Sequence, residues 1–281
     1  MKRFAIIGAA GYVAPKHMDS IIDNGGEVVA ALDPHDSVGI LDSYSPSCRY
    51  FREPERFDRW LSKNHVDYVS VCSPNYLHDS HCLMAMRNGA DVICEKPVVL
   101  NERNLDNLLL WESKTGKKIN CILQCRLHHA ISTLDIDGSD NIVKVVYNTP
   151  RGVWYNYSWK GDIEKSGGLP TNIGIHLFDL CVFLFGDVLD DGSLEKTSIV
   201  RKEYAFGKLT LKRAVVDWDL SISCEKASRV FRINGVDIDL TSTFNDLHKK
   251  SYFNILSGNG FGLEDARSSI SIVEKIRNAS R

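Results

Sequence analysis

Five short apolar runs recur through the first half of the chain, and they constrain the fold more than any other feature of the sequence. The runs are continuous rather than alternating, which is typical of parallel strands that are covered on both faces. The stretches between them have helical periodicity, and two of them end at a glycine in the usual capping position, Gly89 and Gly116. This βαβ alternation predicts a doubly wound parallel sheet of the Rossmann type. The predicted strands are RFAIIG, EVVAALD, VDYVSVCSP, DVICEKP and KINCILQ, and the predicted helices cover about residues 15–24, 54–63, 77–88 and 102–115.

The pattern changes beyond Gln124, where strand-like segments follow one another with short turns. Asn234-Gly235 is a hairpin signal, whereas the run KLTLKRAVVDWDLSISC alternates apolar and polar residues only partly. A heavily apolar helix is predicted at about residues 171–185. These segments predict a mostly antiparallel sheet with helices on one face. We therefore predict a dinucleotide-binding domain over 1–124 and a substrate-binding and oligomerisation α+β domain over 125–281, whose last helix, about 263–278, is a candidate to pack back on the first domain.

Composition narrows the class of protein. The chain has 281 residues, of which 43% are hydrophobic and 25% charged, and its formal net charge is −2. These values are ordinary for a globular protein, and the absence of a basic tract argues against nucleic-acid or lipid-surface binding. No run approaches the ~18 apolar residues of a membrane span. The eight cysteines lie mostly in apolar runs and form no C-x-x-C pair, so we predict free thiols, no metal site and a cytoplasmic protein.

The first predicted strand leads into a glycine-rich turn, GAAGYVAPKH. Its pattern, Gly8-x-x-Gly11-x-x-Ala14, is one residue longer than the usual dinucleotide fingerprint, but the physical requirements can still be met. Gly8 permits the tight turn, Gly11 lets the backbone approach a pyrophosphate, and Ala14 is small enough for close packing of helix on strand. Asp33 ends the second strand, where a carboxylate would bind ribose hydroxyls and repel a 2′-phosphate. The pattern therefore favours NAD over NADP.

Two further strand ends bring polar residues to the same edge of the predicted sheet. Ser73 and Asn75 follow the strand VSVC, and Glu95-Lys96-Pro97 follows the strand DVIC. Ligands of open α/β sheets bind at the carboxyl ends of the strands. A lysine at a turn is ordinarily a solvated surface residue, but here the sheet context favours an active-site role for Lys96.

A second polar set lies on the predicted helix of the second half. Asn172 and His176 are four residues apart and therefore share one helical face, and Asp179 follows three residues later. A histidine on a buried helix is usually a hydrogen-bonded core residue. The glycine pair 167–168, which would let the backbone approach a ligand, makes a catalytic role for His176 an equal alternative.

The combination of GAAGYVAPKH, SPNYLH, CEKP and GG…TNIGIHLFD resembles the Gfo/Idh/MocA family of NAD(P)-dependent sugar oxidoreductases over nearly the whole chain. The stretches TPRGVWYNYSWKGD, FNDLHKKSY and GFGLEDAR are similar to the branch that oxidises C3 of UDP-2-acetamido-2-deoxy-glucuronate for lipopolysaccharide O-antigen sugars. Many members have Asp where this chain has Asn172, so the division of labour between His176 and Lys96 stays open. The UDP-sugar branch also has Asn there.

The resemblance implies a role for each matching position. Lys96 and His176 become the catalytic pair, with Asn172 beside them. A lysine becomes an effective base only when burial and a neighbouring cation lower its pKa from about 10.4. The cofactor-binding residues, all implied to contact NAD, become Gly8, Ala10, Gly11, Tyr12, Val13, Asp33, Ser73, Asn75, His78 and Glu95.

The second domain should bind the sugar. A UDP-uronate needs cations for its pyrophosphate and carboxylate, and the basic and aromatic candidates are Arg126, Arg151, Tyr155, Trp159 and Lys160, together with Asn172. Another sugar or cyclitol dehydrogenase is the alternative within the family, and a catalytically silent dinucleotide-sensing protein is the alternative outside enzymes. An open face of the second sheet is expected to pair two copies of the chain in a homo-oligomer, a dimer or a tetramer.

Overall fold

The computed structural model describes residues 1–136, 138, 140–189, 192–240 and 246–279. The chain forms two compact units. Unit 1 comprises Met1–Val99, Arg103–Gln124 and Asn245–Asp265, and unit 2 comprises Leu100–Glu102, Cys125–Phe244 and Ala266–Arg281. The boundary at residue 124 stays a prediction, but the compact units show that a late segment of the chain clusters with the first.

Unit 1 contains a six-stranded sheet in the order β3-β2-β1-β4-β5-β6, and every neighbouring pair is parallel. This is the doubly wound order that the apolar runs predicted, so that prediction is confirmed. The short strand β3 was not predicted. Its strands are β1 (Arg3–Ile7), β2 (Glu27–Leu32), β3 (Arg49–Phe51), β4 (Tyr68–Val71), β5 (Asp91–Cys94) and β6 (Ile119–Cys121).

The predicted helices of the first half are also present. Gly89 and Gly116 follow α4 and α5 with φ of 83° and 68°, the left-handed conformation that ends a helix at little cost for glycine. The helices that begin in this half are α1 (Ala14–Asp23), α2 (Leu41–Tyr44), α3 (Pro54–Leu61), α4 (His78–Arg87) and α5 (Glu102–Thr115).

One later helix also belongs to unit 1. Helix α11 (Leu247–Leu256) packs on α1, and its Tyr252 and Ile255 join Phe4, Ile6 and Met18 in the buried core. The helix contains most of the motif FNDLHKKSY, whose first two residues lie outside the described residues. Unit 1 therefore completes its core with a segment from near the end of the chain.

Unit 2 contains a second six-stranded sheet, in the order β12-β11-β7-β10-β9-β8. The central pair β7–β10 is parallel and the other pairs are antiparallel. The predicted hairpin at Asn234-Gly235 is present, with φ of 51° and 85°, as a two-residue turn requires. The strands are β7 (Asn141–Asn148), β8 (Ile199–Val200), β9 (Tyr204–Leu211), β10 (Ala214–Ser221), β11 (Ser228–Ile233) and β12 (Val236–Asp237).

The incomplete alternation of KLTLKRAVVDWDLSISC has a simple cause. The run is two strands, β9 and β10, joined by a turn at Lys212-Arg213, so its periodicity is interrupted once. Within β10 burial alternates strictly: Val216 and Trp218 are buried, whereas Val215 is 43% exposed. The sheet therefore has one buried face and one exposed face.

The apolar helix of unit 2 is interrupted near its start. It begins as a π-helical turn over Pro170–Gly174 and continues as α9 (Ile175–Phe185). The run Ile163–Phe185 is long and apolar enough to cross a membrane by length and composition, but 67% of its most apolar window is buried, as in the core helices of many soluble proteins. The other helices are α6 (His129–Ser132), α7 (Trp154–Tyr157), α8 (Ile163–Ser166), α10 (Ser193–Thr197) and α12 (Leu263–Ala279).

Candidate active site

The glycine-rich turn packs tightly against the end of β4. Gly8 has φ of 88°, and a side-chain Cβ there would lie 2.6 Å from the carbonyl oxygen of Cys72. The N–H of Gly11 donates to the carbonyl of Gly8 at 3.0 Å and closes the turn. Glycine is therefore required at position 8 for both conformation and space.

Asp33 holds this turn in place. Its Oδ2 accepts the N–H of Ala10 at 2.9 Å and its Oδ1 accepts the N–H of His35 at 2.9 Å. Each carboxylate oxygen has capacity for a further hydrogen bond. The carboxylate thus supports the turn and can still accept from a ribose hydroxyl, so this half of the site fits NAD.

The residues just before α1 offer donors for a pyrophosphate. Among the described residues, no acceptor is found for the backbone N–H groups of Tyr12 and Val13, which precede the helix. Such N–H groups at a helix N-terminus bind anions. The residues of the predicted fingerprint therefore suit the diphosphate of a dinucleotide.

Two histidines of α4 hold the end of β4. His81 Nδ1 lies 2.8 Å from the Ser73 hydroxyl, and His78 Nε2 lies 2.7 Å from the Ser73 carbonyl oxygen. The other ring nitrogen of His78 lies 2.7 Å from the carbonyl oxygen of Pro97. Both nitrogens of His78 therefore face protein carbonyls that join the ends of β4 and β5. Asn75 is buried in the short helical turn that follows Ser73. The cofactor roles of these residues stay predictions.

Glu95 lies at the centre of a buried hydrogen-bond network. Its Oε1 accepts from Nε2 of His17 at 3.0 Å and from Nε2 of His248 at 2.9 Å. His17 Nδ1 contacts the Tyr252 hydroxyl at 2.8 Å, which contacts the Ser70 hydroxyl at 2.7 Å. We call these five residues the Glu95 network. None of the predictions assigned a role to His17, His248, Tyr252 or Ser70, although the quoted motifs GAAGYVAPKH and FNDLHKKSY contain the first three.

The same three ligand atoms are close enough to hold a metal ion. His17, Glu95 and His248 each offer one atom, and all three atoms lie within 4.8 Å of one another. Direct N–H···O hydrogen bonds of 2.9 and 3.0 Å account for this geometry without an ion. The sequence could not have indicated the cluster, because its members are 78 and 153 residues from one another along the chain.

Lys96 follows Glu95 directly at the end of β5. Its backbone N–H donates to Oε2 of Glu95 at 3.2 Å, and its side chain is half-buried. The peptide bond that joins Lys96 to Pro97 is cis. The lysine therefore leaves the sheet from a backbone that the preceding side chain holds.

In unit 2, His176 and Asn172 lie on either side of the change from π-helix to α-helix. Asn172 Nδ2 donates to the Tyr155 hydroxyl at 3.1 Å, and His176 Nδ1 lies 3.9 Å from the Cys125 sulfur. Both side chains are half-buried. π-helical turns occur frequently at functional sites. The structure thus places Asn172 beside one predicted substrate residue, Tyr155.

A basic and aromatic cluster lies next to Tyr155. The ammonium of Lys160 lies 5.7 Å from the ring centroids of both Trp154 and Trp159. Burial and the nearby Arg151 lower the pKa of Lys160. No carboxylate of a described residue pairs with Lys160 or Arg151, and the adjacent Asp162 pairs with Lys165 instead. The cluster therefore has an excess of positive charge.

Arg126, another predicted substrate residue, has a different environment. Its Nε and Nη2 donate to the two carboxylate oxygens of Asp179 at 3.0 and 2.7 Å, and both side chains are buried. The guanidinium also lies 5.0 Å above the Phe183 ring. A substrate anion would have to share this cation with Asp179, so a substrate role for Arg126 stays a prediction.

Comparison with known proteins follows the same division of the chain. Residues 2–122 match the profile of an oxidoreductase family with an NAD-binding Rossmann fold. Residues 140–269 match the profile of the C-terminal alpha/beta domain of the same family. The chain belongs to the Gfo/Idh/MocA oxidoreductase family. Its first unit contains an NAD-binding Rossmann sheet, as the strand pattern and the glycine-rich turn predicted.

Solved structures include a similar protein of nearly equal length. The WlbA (WbpB) dehydrogenase of Thermus thermophilus, in complex with NAD and alpha-ketoglutarate, superposes with a TM-score of 0.93 at 38% identity, over 99% of this chain and 95% of that one. The same enzyme in complex with NAD and UDP-GlcNAcA gives a TM-score of 0.92. These matches confirm the two-domain fold, and they support NAD as the cofactor, because both structures contain NAD.

Curated relatives are more distant and have varied activities. A D-glucoside 3-dehydrogenase of Escherichia coli is 29% identical over 66% of this chain and 54% of its own length. A 2,7-anhydro-N-acetylneuraminate hydratase of Mediterraneibacter gnavus is 27% identical over 73% of this chain and 54% of its own length. The chain spans about half the length of these relatives.

Proposed function

We propose that the protein oxidises the C3 hydroxyl of UDP-2-acetamido-2-deoxy-glucuronate to the 3-keto sugar nucleotide, with NAD as oxidant. This reaction serves the synthesis of bacterial surface-polysaccharide sugars, including those of the lipopolysaccharide O-antigen. The observation that carries the proposal is the positive charge of the cluster at Lys160 and Arg151, which no carboxylate in the described part of the chain neutralises. The Thermus enzyme described above, which has been solved with UDP-GlcNAcA, supports it.

The charge of the cluster favours an anionic substrate. A UDP-uronate has a diphosphate and a carboxylate, whereas an inositol or a simple glucoside has neither. Lysine and arginine bind such groups through charge-assisted hydrogen bonds, which are roughly twice as strong as neutral ones. A half-buried lysine beside a second cation gains most from a ligand that restores neutrality. The exposed ring of Trp154 and the ring of Trp159 add apolar surface for the rest of the ligand.

Oxidation of a secondary alcohol requires a base for the hydroxyl proton. When NAD is bound, it supplies the acceptor for the C3 hydride. We assign Lys96 and His176 to the proton transfer and to the orientation of that hydroxyl, and Asn172 and Tyr155 to binding of the sugar. The pH profile of kcat in Lys96→Met and His176→Gln assigns the base, since the variant that lacks it loses the fall in kcat at low pH that protonation of the base causes.

The direct test is turnover with NAD and a panel of candidate alcohols. The panel contains UDP-2-acetamido-2-deoxy-glucuronate, UDP-N-acetylglucosamine, UDP-glucuronate, a free glucoside and myo-inositol, with mass detection of the keto product. We expect the first to be oxidised at C3. Oxidation of only the glucoside or the inositol would replace this proposal with another sugar or cyclitol dehydrogenase. Binding of NAD without any turnover would favour a dinucleotide-sensing protein.

A matched pair of variants tests the cluster itself. Lys160→Gln should raise KM for the UDP-uronate by about tenfold or more, because a charge-assisted contact is lost. Lys165→Gln is the control, since Lys165 pairs with Asp162 at 3.5 Å and has no ring contact. Equal effects of the two substitutions would count against the cluster as the substrate site.

The setting of the enzyme is part of the proposal. We place the reaction in the cytoplasm, where UDP-sugars and NAD are available. The exposed face of the unit 2 sheet presents Ile142, Phe206 and Val215, which are 68%, 40% and 43% exposed. We assign this face to contact with a second copy, in a dimer or a tetramer. A stable monomer in light scattering at micromolar concentration would contradict that assignment.

A further inference from the structure

The Glu95 network has one consistent arrangement of protons. The ionised carboxylate can only accept, so Nε2 of His17 and Nε2 of His248 must both carry hydrogens. In neutral His17 the Nδ1 then accepts, and the Tyr252 hydroxyl is its donor. The single Tyr252 hydrogen is thereby used, so its oxygen accepts from Ser70. The chain of donors runs in one direction, from β4 through α11 and α1 to the end of β5.

The charges agree with this arrangement. Burial alone would raise the pKa of Glu95, but the hydrogen bonds from His17 and His248 hold it well below its ordinary value. Burial also lowers the pKa of His17, against the opposing influence of Glu95. An ionised Glu95 beside a neutral His17 therefore describes the network at neutral pH.

The network ends at the backbone of Lys96. Glu95 uses Oε1 for the two histidines and Oε2 for the Lys96 N–H. Two helices thereby hold a buried carboxylate, and that carboxylate holds the peptide from which the lysine side chain leaves. A buried anion that loses one donor pays a large desolvation penalty unless it moves. Movement of Glu95 would displace Lys96.

We propose that His248 and Tyr252 are positioning residues for Lys96, acting through His17 and Glu95. Both lie on α11, whose sequence lies more than 140 residues from the strand that it supports. This inference rests on the proposed role of Lys96 in proton transfer. Neither residue touches the reacting atoms in this account.

The first test compares two substitutions of one residue. His248→Leu removes the donor to Glu95, whereas the amide nitrogen of His248→Gln can replace Nε2. Misplacement of a catalytic group by about 1 Å can cost on the order of 100-fold, so His248→Leu should lower kcat by about 10- to 100-fold with NAD affinity unchanged. His248→Gln should recover most of the loss.

Tyr252→Phe should have a smaller effect of the same kind. Tyr44→Phe is the control, because the described hydrogen bond of its hydroxyl goes to the exposed Asp19.

A second test asks whether the effect passes through Lys96. In the Lys96→Met background, His248→Leu should leave the residual rate unchanged within about twofold, because residues of one network are not additive. Equal losses with and without Lys96, or a loss of NAD affinity in place of kcat, would overturn the inference in favour of a purely structural role.

A third measurement does not depend on turnover. The backbone amide of Lys96 donates to the Glu95 carboxylate, so its proton resonance should shift in His248→Leu and return to its original position in His248→Gln. In the unchanged protein, the ring ¹⁵N chemical shifts of His17 and His248 should show that Nε2 carries the hydrogen in both. If no UDP-sugar is oxidised, the proposed function fails, and this measurement still decides the network. An unshifted Lys96 amide would overturn the inference, as would a stoichiometric metal ion bound by the histidines in the purified protein.

Discussion

In unit 1 the buried carboxylates of the candidate site already have their donors, whereas in unit 2 two cations lie together without a carboxylate. Asp33 accepts two backbone N–H groups, and Glu95 accepts two histidines and an amide. Lys160 and Arg151 have no such partner among the described residues. Unit 1 is therefore organised before any ligand binds, and the cluster of unit 2 needs an anion to balance its charge. The first arrangement suits a cofactor common to a whole family, and the second suits the anionic substrate that we propose.

The largest expected effect is on kcat, and it comes from a substitution in unit 1, the unit that is organised before any ligand binds. Lys96→Met retains the aliphatic stem and removes only the charge, so kcat should fall by about 10²- to 10⁴-fold, the usual contribution of positioned acid–base catalysis. The affinity for NAD should change little. Steady-state kinetics and a binding titration measure both, with Lys63→Met, an exposed position in the turn after α3, as the control. A near-normal kcat would indicate that Lys96 is an ordinary solvated lysine at a surface turn.

The buried ion pair of unit 2, Arg126–Asp179, tests whether Arg126 stabilises the fold or binds the substrate. Asp179→Asn leaves the buried Arg126 guanidinium without a counter-charge, and breaking such a pair typically costs about 3–5 kcal/mol. We expect this loss in the free energy of unfolding in urea. Asp162→Asn, which breaks an exposed pair with Lys165, should change it by less than about 1 kcal/mol. If Asp179→Asn left stability unchanged and altered only KM for the substrate, Arg126 would belong with the substrate cations.

Acid should weaken the organised half through its buried histidines. Burial, together with His78, lowers the pKa of His81 from 6.5 to about 4. The unfolded chain takes up this proton near pH 6.5 and the folded chain only near pH 4, so the stabilisation is present above pH 6.5 and is lost as pH falls towards 4. One such group contributes about 3 kcal/mol over that window.

Urea unfolding at pH 7, 6 and 5 measures this loss. His81→Asn, whose amide can still bond to Ser73, should flatten the pH dependence, whereas His65→Asn on the exposed surface should not. His17 and His78, whose pKa values burial also lowers, act in the same direction. The same pH dependence in His81→Asn as in the unchanged protein would contradict the prediction.

The smallest effect concerns the choice of cofactor. Asp33→Ser removes the charge that repels a 2′-phosphate, and like charges about 4 Å apart repel by roughly 1–4 kcal/mol at a protein surface. The preference for NAD over NADP should therefore fall by about tenfold or more in paired titrations. Asp36→Ser, three residues away and exposed, is the control. An unchanged ratio of the affinities for NAD and NADP would show that Asp33 does not contact the adenosine ribose.

Features that depend on local sequence patterns could be predicted, whereas contacts between distant residues could not. The five apolar strands, the glycine-rich turn and the hairpin at Asn234-Gly235 are local patterns, and all are present as predicted. Strand β3 has three residues, of which only Phe51 is buried, so it has too little pattern to detect. The π-helical turn before α9 keeps the apolar character of an α-helix and differs only in its hydrogen bonds.

The interactions that were missed connect distant parts of the chain. His248 and Tyr252 reach Glu95 and Ser70 only because α11 packs on α1, and no local signal indicates that contact. Arg126 was predicted from its charge, but its partner Asp179 is 53 residues away and determines how much of that charge is available. Sequence patterns indicate which residues can act, whereas tertiary contacts decide which of them are free to do so.

The return of α11 to unit 1 sets an order for synthesis of the protein. All six strands of the Rossmann sheet have been made by Cys121, but the segment that completes the unit begins only at residue 245. At ~5–20 residues per second, the ribosome needs about 6–25 seconds to cover that interval. During this time Glu95 lacks His248 and His17 lacks Tyr252. The part of the protein that is translated first is thus finished nearly last, and a chain truncated after its sheet would have every strand of the nucleotide fold without the support for Lys96.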